Sequence, residues 1–249
     1  MLEMTQKFME TADIEISSED YAKRFVGEVG EWFLSIQTQA TLRMLAPYPG
    51  ATILDVGGGH GQITETLVRR QFDVTVAASS AQCKARIKPL VDRELCTFDV
   101  VDFLNLPYND KSFGVVICYR FLPHVKHWQK FLAEMARVAE RCVLLDYPEK
   151  HSLHYFSPHL VRMKRRLEGN PNPYRAFTDK QLMKEFRKYH FLNSEQYSEF
   201  FLPMLLHHKL KMVHISEAVE RSARQLGLTS KFGSPRILKF IREQQLSET

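Results

Sequence analysis

The chain has 249 residues, of which 44% are hydrophobic and 25% are charged. These proportions are typical of a globular protein and exclude disordered and fibrous classes, and no apolar run approaches the ~20 residues that span a membrane. The net charge of +5 is uneven, because residues 1–149 sum to −4 and residues 150–249 sum to +9. A basic half favours anionic partners or is simply a solvated face, and we rank the solvated face first.

The cysteines lie far apart, with no CxxC pair and no spacing typical of metal ligands. They are Cys83, Cys96, Cys118 and Cys142. The first 20 residues are too acidic for a signal peptide. We therefore expect reduced thiols, no metal site and a cytoplasmic protein.

The N-terminal region predicts a short tail followed by one long helix. Residues 1–16 have no periodic pattern, whereas Ser17 begins the sequence S-S-E-D, which has the spacing of a capping box. Apolar residues then recur at helical spacing from Tyr21 onward, and the helix is expected to end near Leu45. We assign residues 1–46 to a helical cap.

From residue 47 the pattern changes to short, β-branched apolar runs that alternate with helical stretches. Such alternation predicts βαβ units and a parallel sheet with helices on both faces. The predicted strands are residues 51–56, 72–77, 95–101, 113–118 and 142–146, and the predicted helices are residues 62–70, 80–91 and 127–139.

Residues 147–189 interrupt this alternation. Prolines, aromatic residues and the basic run Met163–Arg166 predict a helical insertion with an irregular loop, which ends in a helix capped by Thr178. The remaining predicted elements are strands at residues 194–202 and 236–242 and a helix at residues 216–226. We divide the chain after the cap into an α/β core, residues 47–146 and 190–245, and a lid, residues 147–189.

The strongest local signal is the run I-L-D-V-G-G-G-H-G-Q at residues 53–62. A buried strand enters a glycine turn and then a helix, and Gly57, Gly59 and Gly61 let a ligand approach the backbone closely. The first such turn of an open parallel sheet lies at its carboxyl edge, where ligands bind. The spacing is tighter than the G-x-G-x-x-G of dinucleotide sites, and Asp55 before it is placed for a cationic group.

This run and the segments after it resemble the signatures of the class I S-adenosylmethionine-dependent methyltransferases, of the type 11-like, small-molecule and lipid-quinone kind. The run D-F-L-N-L-P-Y-N-D-K-S-F at residues 102–113 resembles the family's D-x-x-x-LPF-x-D-x-SFD signature. The segments at residues 118–125 and 131–138 resemble the family's S-x-x-x-L-x-H-V and L-x-E-x-x-R-V segments. The matches cover about residues 50–146, and residues 226–243 fit the family's last strand.

The resemblance implies a Rossmann-like α/β fold, with a seven-stranded, mostly parallel sheet, helices on both faces, an antiparallel last strand and a helical lid insertion. It also implies S-adenosyl-L-methionine as the cofactor. The residues that it places at the cofactor are Asp55, Gly57, Gly59, Gly61, Ala78, Ser79, Asp102, Phe103, Cys118 and Tyr119. For Phe103 two roles stay open, stacking on the adenine and packing in the core.

The chain departs from the family after the second strand. Where the family has V-D-x-S, whose acid binds the ribose hydroxyls, residues 76–80 read V-A-A-S-S, so Ala78 replaces the acid. Losing a charge-assisted hydrogen bond is expected to weaken cofactor binding by about 1–3 kcal/mol. We therefore expect Ala78→Asp to tighten cofactor binding. At the glycine turn, we expect Gly59→Val to abolish cofactor binding in a protein that stays folded.

Methyl transfer needs positioning and a dry site, with a base only where the nucleophile must lose a proton. The predicted bases are His151, Tyr155 and Tyr21, and we expect them to line one cavity that opens onto the glycine turn. The predicted substrate contacts are Arg120, for an acidic group of the acceptor, together with His124 and Trp32.

The sequence thus predicts methyl transfer to a small-molecule or lipid-like acceptor. An anionic acceptor is compatible with this prediction, because Arg120 could bind an acidic group. Two alternatives stay open. Ala78 indicates a catalytically degenerate methyltransferase fold kept for binding or scaffolding, and the basic half indicates an RNA methyltransferase. Nucleic acid ranks last because no RNA-binding module is visible, and we expect no integral membrane contact.

Overall fold

The computed structural model describes residues 10–152, 174–210 and 212–243. Within them the strands are β1 (Thr52–Val56), β2 (Asp73–Ala78), β3 (Thr97–Val100), β4 (Phe113–Cys118), β5 (Ala139–Tyr147), β6 (Phe191–Ser198) and β7 (Arg236–Arg242). They form one seven-stranded sheet in the order β3-β2-β1-β4-β5-β7-β6.

The sheet has the mixed arrangement that the sequence predicts. β1 pairs in parallel with β2 and β4, β2 with β3, and β4 with β5, whereas β7 is antiparallel to both β5 and β6. The strand order changes direction between β1 and β4, and such a switch point is where open α/β sheets bind ligands, at the carboxyl ends of the strands. The predicted fold class is confirmed.

Helices cover both faces of the sheet. They are α1 (Asp13–Ile16), α2 (Glu19–Ala22), α3 (Gly27–Leu45), α4 (Thr64–Arg69), α5 (Lys88–Val91), α6 (Trp128–Val138), α7 (Asp179–Arg187), α8 (Met204–Leu210), α9 (Val213–Gln225) and α10 (Leu228–Phe232). Successive side chains of a strand point to opposite faces, so Val116 joins an apolar cluster with Phe131 of α6, whereas Ile117 joins another with Met44 of α3. None of the described helices is long and apolar enough to cross a bilayer.

The N-terminal tail differs from the prediction, because its described part is packed rather than loose. Residues 13–16 form α1, and both Asp13 and Ile16 are buried. α1 contacts the glycine turn and the 3-10 helix Ala81–Lys84. This packing was not predictable from the sequence, since one helical turn is too short to show a periodic pattern.

The long N-terminal helix is also broken, which corrects the prediction of one helix to Leu45. The N-cap of α2 is Ser18, whose hydroxyl accepts a hydrogen bond from the Tyr21 amide at 3.2 Å. The chain then tightens into a 3-10 turn and restarts as α3 at Gly27, whose φ of 82° lies in the left-handed region. At Gly30, a Cβ would lie 2.2 Å from the backbone of Phe25, so the two pieces meet in close contact.

Most predicted strands are confirmed to within one or two residues, but three segments differ. β5 begins at Ala139 rather than at residue 142, and β6 ends at Ser198 rather than at residue 202. The helix predicted over residues 80–91 is divided into the 3-10 helix Ala81–Lys84 and α5, whose first turn contains a proline. Proline has no amide hydrogen to donate and is found where a helix starts.

Most of the predicted lid, residues 153–173, lies outside the described residues, and with it Tyr155 and the run Met163–Arg166. The flanks of this segment are described. Glu149 and Phe177 form a parallel bridge, and the Arg175 amide donates to the Pro123 carbonyl at 2.8 Å. The flanks therefore lie side by side, next to the segment that follows β4.

Candidate functional site

The glycine turn, residues 57–61, lies at the switch point between β1 and α4. Gly57 and Gly61 have φ angles of 76° and 69°, a region in which other residue types are strained. The Gly57 amide donates to the Ala77 carbonyl at 2.8 Å, which ties the turn to the end of β2. The local glycine pattern therefore places a tight backbone loop at the carboxyl edge of the sheet.

Asp55 lies beneath the glycine turn and is fully buried. Its Oδ2 accepts a hydrogen bond from the Thr64 hydroxyl at 3.1 Å, whereas Oδ1 has no hydrogen-bond partner in the described part of the chain. Burial raises the pKa of Asp55 from 3.8 to about 7, because the charged form loses its hydration. A buried carboxyl with a free oxygen fits a cationic hydrogen-bond donor of a ligand.

Two further polar side chains lie in the turn region, His60, which is buried, and Gln62, which is partly exposed. His60 Nδ1 accepts a hydrogen bond from the Gln62 amide at 3.2 Å. Burial lowers the pKa of His60 to about 3, and the positive charge of Arg120 adds to this effect. The imidazole is therefore neutral at physiological pH. Gln62 Oε1 is buried without a partner among the described residues, and leaving such a group unpaired costs about 1–3 kcal/mol.

Gly59 faces protein, which contradicts one expectation. A Cβ at this position would lie 2.6 Å from the Cys83 carbonyl and 2.6 Å from Ser17 Oγ. Valine would push against the Ala81–Lys84 helix and the N-terminal segment, and real Cβ atoms do not approach that closely. The prediction that Gly59→Val leaves the protein folded is therefore wrong, and this variant does not isolate cofactor binding.

The end of β2 holds an acid that the sequence did not reveal. Ala78 is fully buried and carries no polar group. The carboxylate of Asp13 reaches the following residue instead: the Ser79 amide donates to Oδ2 at 2.7 Å and the Ser79 hydroxyl donates to Oδ1 at 2.5 Å. Cys83 Sγ lies 3.5 Å from the same Oδ2. Burial raises the pKa of Asp13 above its ordinary value.

The two predicted residues after β3 make local and core contacts. Asp102 Oδ1 accepts a hydrogen bond from the Leu104 amide at 2.9 Å, and the residue stays partly accessible. Phe103 is fully buried, with its ring centroid 4.7 Å from that of Phe121 and 6.2 Å from that of Phe131. Of the two roles that the sequence left open for Phe103, these contacts favour packing.

The side chains of Cys118 and Tyr119 are fully buried at the end of β4. The Tyr119 hydroxyl lies 2.8 Å from Thr41 Oγ1, which anchors α3 to this strand. Both side chains pack within the protein, so a ligand at this edge would meet their backbone. Contact between their carbonyls and a cofactor stays a prediction.

A buried polar network lies beyond the ends of β4 and β5. Gln37 Nε2 donates to Asp146 Oδ2 at 3.1 Å and to Glu199 Oε1 at 3.3 Å. Arg120 donates to Gln37 Oε1 at 2.9 Å through Nη2 and to Asp146 Oδ1 at 2.5 Å through its amide. Burial raises the pKa of Asp146 to about 6 and that of Glu199 to about 8. No sequence motif indicated that Gln37, Asp146 and Glu199 would join Arg120 in this network.

Comparison with known proteins identifies this arrangement. Residues 54–142, from β1 into β5, match the family described as a methyltransferase domain. Norajmaline N-methyltransferase of Rauvolfia serpentina is 34% identical over 108 residues, which are 40% of this chain and 37% of that protein. The matched part of the chain is therefore similar to methyltransferase domains.

A second relative and a solved structure are also similar to the chain. Demethylmenaquinone methyltransferase of Tropheryma whipplei (strain Twist) is 26% identical over 156 residues, 57% of this chain and 63% of that protein. The chain thus spans less than two thirds of the length of either curated methyltransferase. Magnesium protoporphyrin IX methyltransferase of Synechocystis PCC 6803, solved with bound SAH, has a TM-score of 0.61 at 16% identity, with 92% of this chain and 96% of that chain covered. That likeness shows the shared fold.

The predicted bases occupy different surroundings. Tyr21 is half-buried and packs on Phe25, and burial raises its pKa even though Arg120 and Arg24 lie close by. A phenol with a raised pKa stays protonated at neutral pH. The side chain of His151 is 68% exposed, with Nδ1 3.0 Å from a Glu149 carboxylate oxygen. Tyr155 is not described, so the cavity shared by the three bases stays a prediction.

The predicted substrate contacts are engaged within the protein. The Arg120 guanidinium lies 4.2 Å from the ring centroid of Phe25 and is attracted to the carboxyl groups of Asp146 and Glu199. Trp32 is buried in an aromatic cluster, with its ring 5.2 Å from that of Phe200. The rings of His124 and Tyr174 are 5.4 Å apart. Trp32 thus packs in an apolar cluster, and substrate binding by Trp32, Arg120 and His124 stays a prediction.

Proposed function

We propose that the chain transfers a methyl group from S-adenosylmethionine to a small-molecule acceptor. The observation that carries the proposal is the buried polar lining of the glycine turn. Asp55 Oδ1 and Gln62 Oε1 lack partners in the described part of the chain, next to a backbone loop with two left-handed glycines. The match of residues 54–142 to the methyltransferase-domain family supports the same ligand.

The residues at this edge fit S-adenosylmethionine by their chemistry. Asp55 accepts a hydrogen bond from the ligand's ammonium group, which favours the carboxylate and lowers its pKa from about 7. Gln62 offers a carbonyl oxygen to a second donor, and Asp102, partly accessible after β3, is an acceptor for the adenine amino group. When bound, the cofactor supplies an electrophilic methyl group on a sulfonium. The protein supplies position and excludes water.

The acceptor is expected beside the network of Gln37, Arg120, Asp146 and Glu199, past the end of β4. The Arg120 guanidinium already has a counter-charge in Asp146, whose pKa of about 6 leaves most of its carboxyl ionised at pH 7, so the positive charge is not reserved for an anionic acceptor. The raised pKa values of Asp146 and Glu199 let these groups hold or release a proton near neutral pH. These observations favour a neutral or basic acceptor, in keeping with curated relatives named for norajmaline and demethylmenaquinone.

One observation favours a second candidate function. The buried Ala78 at the position of the usual ribose-binding acid supports a methyltransferase fold that binds without turnover. The support for this alternative is lost if another residue binds the ribose hydroxyls in place of that acid. It is distinguished from the first by whether bound cofactor is consumed.

The experiment is a labelled-transfer assay with the full chain. The protein is incubated with methyl-labelled S-adenosylmethionine and, in separate arms, with secondary and tertiary amines, demethylated quinols or RNA. Label is expected in a small-molecule arm, together with released S-adenosylhomocysteine, and the Asp55→Asn variant should give less label at limiting cofactor. Label in RNA would overturn the small-molecule proposal, and binding without label in any arm would favour the second candidate.

A further inference from the structure

The end of β2 lacks the polar group that nucleoside binding calls for. In α/β folds that bind nucleosides at a glycine turn, an acid about 20 residues after the turn, beyond the second strand, binds the ribose hydroxyls. Here that position is Ala78, the last residue of β2, which is fully buried and has only a methyl side chain. The strand therefore offers no acceptor of its own to a ribose diol.

The carboxylate of Asp13 reaches the same place from the N-terminal segment. Its two oxygens accept the hydrogen bonds from the amide and hydroxyl of Ser79, the residue directly after Ala78. α1, which carries Asp13, packs on the glycine turn and on the Ala81–Lys84 helix. The acid thus lies between the turn and the end of β2, where a nucleoside held by both would place its sugar.

The chemistry of this carboxylate is unusual for a purely structural group. It is fully buried, and the groups that affect its ionisation are Ser79, Cys83 and its own backbone, none of which is a cation. A carboxylate has about four lone-pair sites, of which the amide and hydroxyl of Ser79 and the thiol of Cys83 fill three. Burying a carboxylate without a cation is costly unless further donors reach it. Two hydroxyl groups of a ribose are such donors.

We infer that Asp13 replaces the missing strand acid and binds the ribose hydroxyls of S-adenosylmethionine. The inference rests on the proposed function, since it assigns a residue to the cofactor of that function. α1 then holds the cofactor as well as packing on the turn, so residues 13–17 belong to the binding site. Ser17 Oγ, 2.6 Å from the Cβ position of Gly59, brings a second polar group of this segment to the turn.

The test is calorimetric titration of the full chain with S-adenosylhomocysteine and with its 2′-deoxy analogue. The wild-type chain should bind the analogue about tenfold or more weakly, because a charge-assisted hydrogen bond is lost. Asp13→Asn should weaken binding of S-adenosylhomocysteine about ten- to a hundredfold and remove most of the preference over the analogue. Asp20→Asn is the matched control, since Asp20 is an exposed carboxylate of the neighbouring α2, and it should change neither affinity.

A purely structural role of Asp13 predicts a different result. Asp13→Asn would then weaken both ligands equally and leave the preference intact, which would overturn the inference. Ala78→Asp provides an independent test. It should restore most of the affinity for S-adenosylhomocysteine in an Asp13→Ala chain and add little to the affinity of the wild type. If Ala78→Asp does not restore affinity in the Asp13→Ala chain but raises the affinity of the wild type, the inference is contradicted. Failure of the wild type to bind S-adenosylhomocysteine would instead count against the proposed function.

Discussion

Replacing Glu199 with glutamine is expected to stabilise the protein, and the gain should grow with pH. Glu199 is 3% exposed, and its carboxyl accepts a hydrogen bond from Gln37 Nε2 at 3.3 Å. Burial raises its pKa from 4.5 to about 8, and Asp146 nearby adds to the effect. Between these values the unfolded chain has lost a proton that the folded chain keeps, so the free energy of unfolding falls as pH rises.

The magnitude follows from the two pKa values. At ~1.4 kcal/mol per pKa unit, the difference between 4.5 and about 8 amounts to at most about 5 kcal/mol. The Glu199→Gln variant keeps the acceptor oxygen for Gln37 and does not titrate. Its advantage over the wild type should therefore rise by ~1.4 kcal/mol per pH unit within this window and level off above about pH 8.

Urea unfolding followed by circular dichroism, at about pH 5, 7 and 9, measures this advantage. The control is Glu31→Gln, which removes an exposed carboxyl from α3, the helix that carries Gln37. The control should show little change with pH. A constant difference between Glu199→Gln and the wild type across this range would refute the assignment of Glu199 as a buried, protonated acid.

Two further predictions concern the cofactor site and the N-terminal junction. Because the pKa of Asp55 is about 7 in the free protein, binding S-adenosylmethionine near pH 7 should release part of a proton, seen by calorimetry in buffers of different ionisation enthalpy. Asp55→Asn should release none and bind at least about tenfold more weakly, and equal proton release by both would contradict this role. Gly30→Ala should destabilise the fold by about 1–3 kcal/mol, because its Cβ would lie 2.2 Å from the Phe25 backbone. Gly114→Ala, with 3.4 Å to the Ala51 Cβ, should cost less than about 1 kcal/mol, and equal urea midpoints for the two would refute the steric argument.

The sheet was predictable because its signal is local. β4 and β7 agree with their predicted bounds, since each is a run of apolar residues bounded by polar or turn residues. The break before α3 was hidden, because the apolar spacing continues through Gly27 as if the helix did not stop. Only the left-handed backbone at this glycine and the close approach at Gly30 reveal it.

The site was predictable where a motif specifies backbone shape, and unpredictable where distant side chains meet. The glycine turn follows from its own residues, and Asp55 lies beneath it as its place before the glycines suggests. The contact of Asp13 with Ser79 joins residues 66 positions apart, and Gln37 meets Asp146 across 109 positions. No spacing rule connects such pairs, because the packing of α1 and α3 against the sheet brings them together.

Titration of the full chain with S-adenosylmethionine in a calorimeter tests the central claim most directly. The account predicts saturable binding of one ligand per chain, with a dissociation constant between about 1 μM and 1 mM, and a rise in the unfolding temperature as ligand is added. No heat of binding and no shift in unfolding temperature at millimolar ligand would contradict it.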